Sequence, residues 1–577
     1  KGLAMRNYDR INALPPDGIE DKRAHIIGGG LAGLAAAAFL VTDAHMPAGS
    51  VTVYEMGPLV GGAMDAAGDS ASGYTCRGER ELEARMECLW YLCSKVPSLR
   101  APGLTILDET HRANLREPIY SHFRLMEKQG QLRDSSGALM SPHDAEMMMR
   151  LVFTAEEELE GLAVTDWFSP EFTTSIFWYC WSTMLAFREY HSLIEVKRYL
   201  GRFLMYTADI THLAGILHTQ YNEYDSVIKP LVVWLQRLGV RFRTDTTVVD
   251  LDLADTMGET VVTGLTVRDS GGSRHLELTR DDLVFFTSGS LTQNATMGDT
   301  TTIATLDRDT TDRGCFTLWE KLAARDPKFG NPAAFISDVD KSNWMSYFPT
   351  ITGDSTFFDY MEAKTGNVAG TGGAVTIVDS SWKISFVLYG KYFPDQPDDV
   401  NVFWGYGQCS DVPGDYIKKP MQECTGAEMF AEVLYHVGLE DKIGDILEHT
   451  TVSTSMMPYI TSEFMPRKLS DRPKVIPDGC VNLAFTGQFV ELPGDCVFTV
   501  ETSVRTAMLG VWGLTGLDKP MVPLYEPIYD VRVLVSTIKR AVGIEEFLHE
   551  TLPSLAATAS SPGQLAEMLD SVPAAQI

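Results

Sequence analysis

The sequence predicts an α/β protein whose nucleotide-binding sheet is assembled from separate stretches of chain, and three observations carry that prediction. The first is His25-Ile26-Ile27-Gly28-Gly29-Gly30-Leu31-Ala32-Gly33-Leu34, entered by a short apolar run and left by the alanine-rich helical run 35–41. The second is a return to strand pattern far along the chain, at 240–243, 248–253, 261–267 and 283–286. The third is one more apolar strand inside 481–488. A strand, a meander and a closing strand are how a second half returns to complete such a domain, so other domains are inserted into it.

In order, Gly28, Gly30 and Gly33 fit G-x-G-x-x-G. That pattern combines a tight turn, close backbone approach to a pyrophosphate, and close packing of helix on strand. The helix that follows offers free N–H groups and the positive end of its dipole to the phosphates. A second strand, 51–54, ends at Glu55, placed to accept ribose hydroxyls, and Gly61-Gly62 gives a second close backbone approach. Together these predict a Rossmann-like dinucleotide site, with FAD preferred to NAD.

Leu82, Met86, Leu89 and Trp90 recur at helical spacing, which predicts a helix starting near Arg80. In such a helix Glu81 would pair with Arg85 one turn on. The stretch 145–203 is rich in Met, Phe, Trp and Tyr, with Thr154-x-x-Glu157 as a capping box. Phe177, Trp178, Trp181, Leu185 and Phe187 then form a bulky surface, read as a helical layer roofing an apolar cavity; the plainer reading is an ordinary helix core. A further helix spans 229–238. The expected division is an FAD-binding first part (22–100), a substrate and helical cap (101–205), an FAD-binding second part (206–300), a substrate-binding domain (301–478), a return segment (479–516) and a C-terminal helical segment with tail (517–577).

Composition narrows the function classes. At 577 residues, 45% hydrophobic and 22% charged, the chain suits a globular protein of two to four domains. The net charge of -29 and the lack of a basic block argue against nucleic acid and against anionic membrane surfaces. Nine scattered cysteines without C-x-x-C read as reduced thiols in a cytoplasmic protein; no metal site is expected. Neither a leader pattern nor a run of 18 apolar residues is present. Residues 1–22 read as a polar arm, and 555–577 as an Ala/Ser/Pro-rich tail. Near the C-terminus, Val531, Val533, Leu534, Val535, Ile538, Val542, Phe547 and Leu548 supply an apolar face beside Arg532, Lys539 and Arg540. The preferred reading docks this face on the protein's own surface, and the alternative lays it in a membrane interface as a peripheral contact, against Glu545 and Glu546.

With these segments in hand, the chain resembles the FAD-dependent fatty-acid double-bond hydratases (oleate hydratases, or myosin-cross-reactive antigens) from about Asp21 to about Leu534. The motifs carrying the resemblance are 26–33, Arg77-Gly78-Glu79-Arg80-Glu81, Glu87-Cys88-Leu89-Trp90, Tyr221-Asn222-Glu223-Tyr224-Asp225, Asp411-Val412-Pro413-Gly414-Asp415-Tyr416, Lys418-Lys419-Pro420, Glu423-Cys424-Thr425-Gly426 and Gly487-Gln488-Phe489-Val490-Glu491. The resemblance implies addition of water across an isolated cis double bond of a long-chain unsaturated free fatty acid, typically to a 10-hydroxy acid, without net redox. It implies bound FAD, more active reduced, and a monomer or homodimer, the short N-terminal arm favouring the monomer. Rival readings are a flavin-dependent isomerase or oxidoreductase on the same fold, and a lipid- or flavin-binding protein with little turnover.

The resemblance also implies residue roles. Glu81 would activate water, and Tyr199, with Tyr190, Tyr206 and Tyr221 as neighbouring competitors, would be the acid. Arg198 or Arg202 would supply the positive charge a phenol needs. On residue pattern alone, Glu81 is one charge of many and Tyr199 a packed core tyrosine. Arg77, Gly78, Ser288, Gln488 and Thr499 would contact the cofactor beside Gly28, Gly30, Gly33, Glu55, Gly61 and Gly62. Asn222 would contact substrate. The family's Thr, Asn and His that hold the carboxylate correspond here to Val387, Tyr389 and Tyr392, and its second loop glycine corresponds to Glu79. Ser288-Gly289-Ser290 replaces the usual Asn-Gly-Ser.

Overall fold

The strand Arg23–Ile27 buries Ile26 on one face and Ile27 on the other because the nucleotide-binding sheet is covered on both. In the computed structural model, residues 14–542 are described, apart from Glu79, Ser136, Leu213, Ala214, Thr310 and Phe498. This strand is central in a five-stranded sheet ordered Leu483–Thr486, Asp282–Thr287, Arg23–Ile27, Val51–Tyr54, Arg241–Arg243. All four pairings are parallel. One sheet is thus built from chain segments hundreds of residues apart.

Helix Leu31–Thr42 lies on this sheet with Ala35–Ala38 fully buried. Its alanines leave room for the helix Val500–Thr515, which packs against it in the same core. An antiparallel meander, Thr247–Thr256, Glu259–Asp269 and Gly272–Glu277, precedes the strand Asp282–Thr287. A second, eight-stranded sheet is inserted, running from Thr296–Gly298 at one edge to Gln131–Leu132 at the other. Over it lie the helices Pro142–Phe153, Ile176–Met184 and Leu193–Phe203, joined by 3-10 turns and packed through stacked aromatic rings. The expected helix Lys229–Leu238 is present, entered by a π-helical turn Tyr224–Ile228.

Three local expectations are corrected. The helix expected from Arg80 starts at Glu87; the residues before it include a short strand, Leu82–Glu83, paired with Ile216–Leu217. Glu81 is therefore not one helical turn from Arg85, whose backbone N–H donates to Glu83 and whose guanidinium lies over the Tyr525 ring. Thr154 does not open a helix: it caps the C-terminal end of Pro142–Phe153, and the next turn starts after Ala155.

At the C-terminal end, helix Val531–Val542 buries Val533 against Leu204 and Met205, and Thr537 Oγ1 donates to the Leu204 carbonyl. This part docks on the protein itself. The side chains of Ile538, Lys539, Arg540 and Val542, with Phe547, Leu548, Glu545, Glu546, the tail, residues 1–13 and Glu79, lie outside the described residues. Among the described residues no helix is long and apolar enough to cross a membrane.

Candidate active site

At the carboxyl ends of the parallel strands the glycine turn opens into a long cleft, lined by Gly28, Gly30, Glu55, Gly61, Gly62 and Gln488 among others. Two of the glycines do different work. A Cβ on Gly33 would lie 2.0 Å from the Gly28 carbonyl oxygen, so Gly33 permits helix and strand to meet. A Cβ on Gly30 would meet only the Gly62 Cα, at 3.7 Å, so it would project into open cleft. That space is what a pyrophosphate needs, and Gly28 turns into it at φ +106°. Glu55 braces the turn: its Oε2 accepts from the Gly29 N–H at 3.0 Å and its Oε1 from Gly57 at 2.9 Å. Burial raises the Glu55 pKa, and these N–H groups counteract it. The residues present fit a dinucleotide.

A direct test follows. Gly30→Val should fold and melt close to the unliganded protein yet carry no flavin absorbance. Gly33→Ala should instead lose the fold, read as loss of a cooperative melting transition.

A second, mainly apolar cavity abuts this cleft where Arg77, Arg80 and Val500 line both. Trp181, Tyr199 and Phe203 of the roof helices form one wall, and Trp344, Trp404 and Tyr406 of the inserted sheet form the other. Arg77 fastens the junction: its Nε donates to Asp65 at 2.8 Å and its Nη2 to the Gly62 carbonyl at 3.1 Å. Gly78 lies between Arg77 and Arg80; a Cβ there would come within 2.9 Å of Arg80 Nη1. Thr499 lines the apolar cavity rather than the nucleotide cleft, and caps helix Val500–Thr515, whose positive end opens at the junction.

Glu81 lines this cavity and a side vestibule that joins it. Burial, then the charge of Glu223, pushes its carboxyl up to about 7. Glu223 is itself buried, accepting from the Arg80 backbone N–H at 2.8 Å and from the Tyr392 hydroxyl at 3.3 Å. Tyr199, fully buried, lines the same cavity as Glu81, with its ring edge-on to Phe187 and Phe464.

The positive charge expected beside Tyr199 is committed elsewhere. Arg198 donates to Glu156 at 2.7 Å and to Glu491 at 2.5 Å, and Arg202 donates to Glu83 at 3.0 Å. Of the competing tyrosines, Tyr206 lines the cavity but donates to Glu83 at 3.1 Å, Tyr221 lines the vestibule, and the Tyr190 hydroxyl donates to the Lys341 carbonyl outside both.

Val387, Tyr389 and Tyr392 come together in the vestibule, where the tyrosine rings stack at 3.9 Å, and Val387 also lines the main cavity. Asn222 lines neither. It is buried behind them, its Nδ2 donating to the Tyr392 carbonyl at 3.2 Å and to Asp225 at 3.1 Å. Ser288 is also set back: its buried hydroxyl has no hydrogen-bond partner, while Thr287, Gly289 and Ser290 line the cleft.

Arg80, Glu223 and Tyr406 are site residues that sequence reasoning did not single out. Arg80 lines cleft, cavity and vestibule alike. Tyr406, on strand Val400–Gly407, donates to the Thr183 carbonyl, and burial, then the charge of Glu81, raises its pKa. Arg80 and Glu223 sit inside motifs quoted above, so their signal was present; that of Tyr406 was only strand alternation.

Cleft and cavity define a nucleotide-binding α/β protein with an apolar chamber set against its cofactor site. The fold is shared with a solved putrescine oxidase double mutant at a TM-score of 0.50 and 12% identity, over 86% of this chain and 99% of that one. Within that class, the chain belongs to the MCRA family, whose model matches residues 21–512. It is 38% identical over 542 residues to an oleate hydratase of Streptococcus pyogenes serotype M49 (strain NZ131), covering 92% of this chain and 91% of the relative. To a linoleate hydratase of Lactiplantibacillus plantarum it is 30% identical over 551 residues, covering 88% and 96%.

Proposed function

We propose that this chain is an FAD-dependent hydratase that adds water across the isolated cis double bond of a long-chain unsaturated fatty acid, oleate to 10-hydroxystearate being the reference reaction. The observation that carries the reading is Glu81: a carboxyl whose pKa lies near 7, facing an apolar chamber at the cofactor cleft. Such a group exchanges a proton at neutral pH in a place that otherwise suits hydrocarbon.

Each residue then has one task. The chamber walls hold the acyl chain and exclude bulk water. Tyr199 gives its hydroxyl proton to one alkene carbon, and Glu81 takes a proton from the water whose oxygen bonds to the other. The proton on Glu81 returns to the tyrosine, so atoms and electrons balance with no oxidant. FAD, held along the glycine turn and Glu55, would supply a polarising surface at the chamber mouth. The positive end of helix Val500–Thr515 favours negative charge there, which supports the reduced form as the more active one. Tyr389 and the half-exposed Lys391 take the carboxylate in the vestibule, where Val387 has no donor and Tyr392, its hydroxyl given to Glu223, lends its stacked ring. All nine cysteines are unbridged, which fits a cytoplasmic setting.

The test is oleate with the reduced holoenzyme in ¹⁸O-labelled water. One labelled hydroxyl per product, with no oxygen consumed, is expected. Stoichiometric oxygen uptake, or unlabelled product, overturns the reading.

A further inference from the structure

The segment Asp411–Lys419 contributes no residue to cleft, cavity or vestibule. Nevertheless it carries one face of a compact three-residue cluster, Asp415, Glu432 and His436. Glu432 and His436 lie one turn apart on the helix Gly426–Val437, which presents them on one face. Asp415 meets them from the loop.

His436 is 3% exposed, and its Nε2 makes no hydrogen bond. Yet Asp415 Oδ2 lies 3.2 Å and Glu432 Oε1 3.3 Å from that nitrogen. The nitrogen and the two oxygens lie within 4.8 Å of one another. The two N···O separations match those between ligands of one ion, since tetrahedral bonds of about 2.0–2.1 Å set ligand atoms about 3.3 Å apart.

The surrounding shell fits the same reading. Glu432 is held rigid by the backbone N–H groups of Asp415 at 2.6 Å, Tyr416 at 3.0 Å and Ile417 at 2.8 Å. Asp415 accepts from Ser381 Oγ at 2.7 Å and from its N–H at 2.8 Å. The far ring nitrogen of His436 faces Asp379 Oδ1 at 3.9 Å. Oriented carboxylates, and an acid behind a histidine, are the outer shell a bound metal requires.

We propose that Asp415, Glu432 and His436 form a divalent transition-metal site, with Zn²⁺ the matching ion. Two carboxylates and an imidazole make a borderline donor set suited to that class. The Asp415 side chain is 33% exposed, so the fourth position opens to water. The ion fastens the loop 411–420 to its helix and takes no part in hydration. Sequence reading expected no metal because the nine cysteines are scattered without C-x-x-C, and this cluster contains no cysteine.

The experiment uses the full-length, FAD-loaded protein, stripped with chelator and titrated with ZnCl₂ by calorimetry. Co²⁺ is then substituted to read its visible bands, and wild type is compared with Asp415→Asn and His436→Gln. The expected result is one Zn²⁺ per chain, a higher melting temperature with Zn²⁺ in wild type only, and binding weakened about tenfold or more in either variant. Oleate hydration should be unchanged in Asp415→Asn, which alters a partly exposed side chain and carries the test if His436→Gln fails to fold. Wild type that takes up no more Zn²⁺ than Asp415→Asn, or a Co²⁺ form without ligand-field bands, overturns the proposal.

Discussion

Glu81→Gln keeps fold and flavin and loses about 10²–10⁴-fold in hydration rate, the range a positioned general base contributes. That is roughly 3–5 kcal/mol of barrier. Glutamine matches the shape of the acid, so cofactor absorbance and melting temperature serve as controls. The wild-type pH profile follows from the same group. Its base form is the carboxylate, and burial together with Glu223 pushes its pKa up to about 7. Activity therefore rises with pH through that region. Glu223→Gln removes the neighbouring charge, lets Glu81 ionise earlier, and moves the rise to lower pH. A profile flat from pH 5 to 9, or a flavin-loaded Glu81→Gln with near-normal turnover, would exclude Glu81 as the base.

Tyr199→Phe deletes one hydroxyl and preserves a ring packed edge-on between Phe187 and Phe464. Stability should change by no more than about 0.5–1.5 kcal/mol, the value of one hydrogen bond. Turnover should fall about 10²–10⁴-fold, with KM for oleate little changed, because only proton donation is lost. Tyr206→Phe is the informative control, since its hydroxyl reaches the same cavity but donates to the buried Glu83. If Tyr206→Phe is dead and Tyr199→Phe is active, the acid is misassigned.

What the sequence made legible was whatever depends on short-range pattern. The glycine turn, the strand Val51–Tyr54, the helix Lys229–Leu238 and the late strand Leu483–Thr486 all follow from local periodicity, and they meet in one sheet and the core packed on it. Glu87–Cys93 was misplaced because Leu82, Met86 and Leu89 satisfy helical spacing, while the partner strand Ile216–Leu217 that makes Leu82–Glu83 extended lies more than a hundred residues away. Thr154 was misread for a related reason: a threonine three residues before a glutamate describes a helix start equally well when it ends the preceding one. Partners set by tertiary packing were not legible. The ion pairs that occupy Arg198 and Arg202 draw on Glu156, Glu491 and Glu83, and the pairing of Glu81 with Glu223 spans two motifs.

The sheet order has a consequence for how the molecule comes into being. Arg23–Ile27 pairs on one side with the nearby Val51–Tyr54 and on the other with Asp282–Thr287, whose other neighbour is Leu483–Thr486. During translation one edge of that central strand waits for a partner more than two hundred residues further along the chain, an arrangement of high contact order that slows folding and lengthens exposure to aggregation. The helix Val500–Thr515, which seals both the glycine helix and the mouth of the chamber, emerges later still. Completion of the nucleotide cleft therefore waits for the late segments, since Gln488, Val500 and Ser503 line it beside the glycine turn.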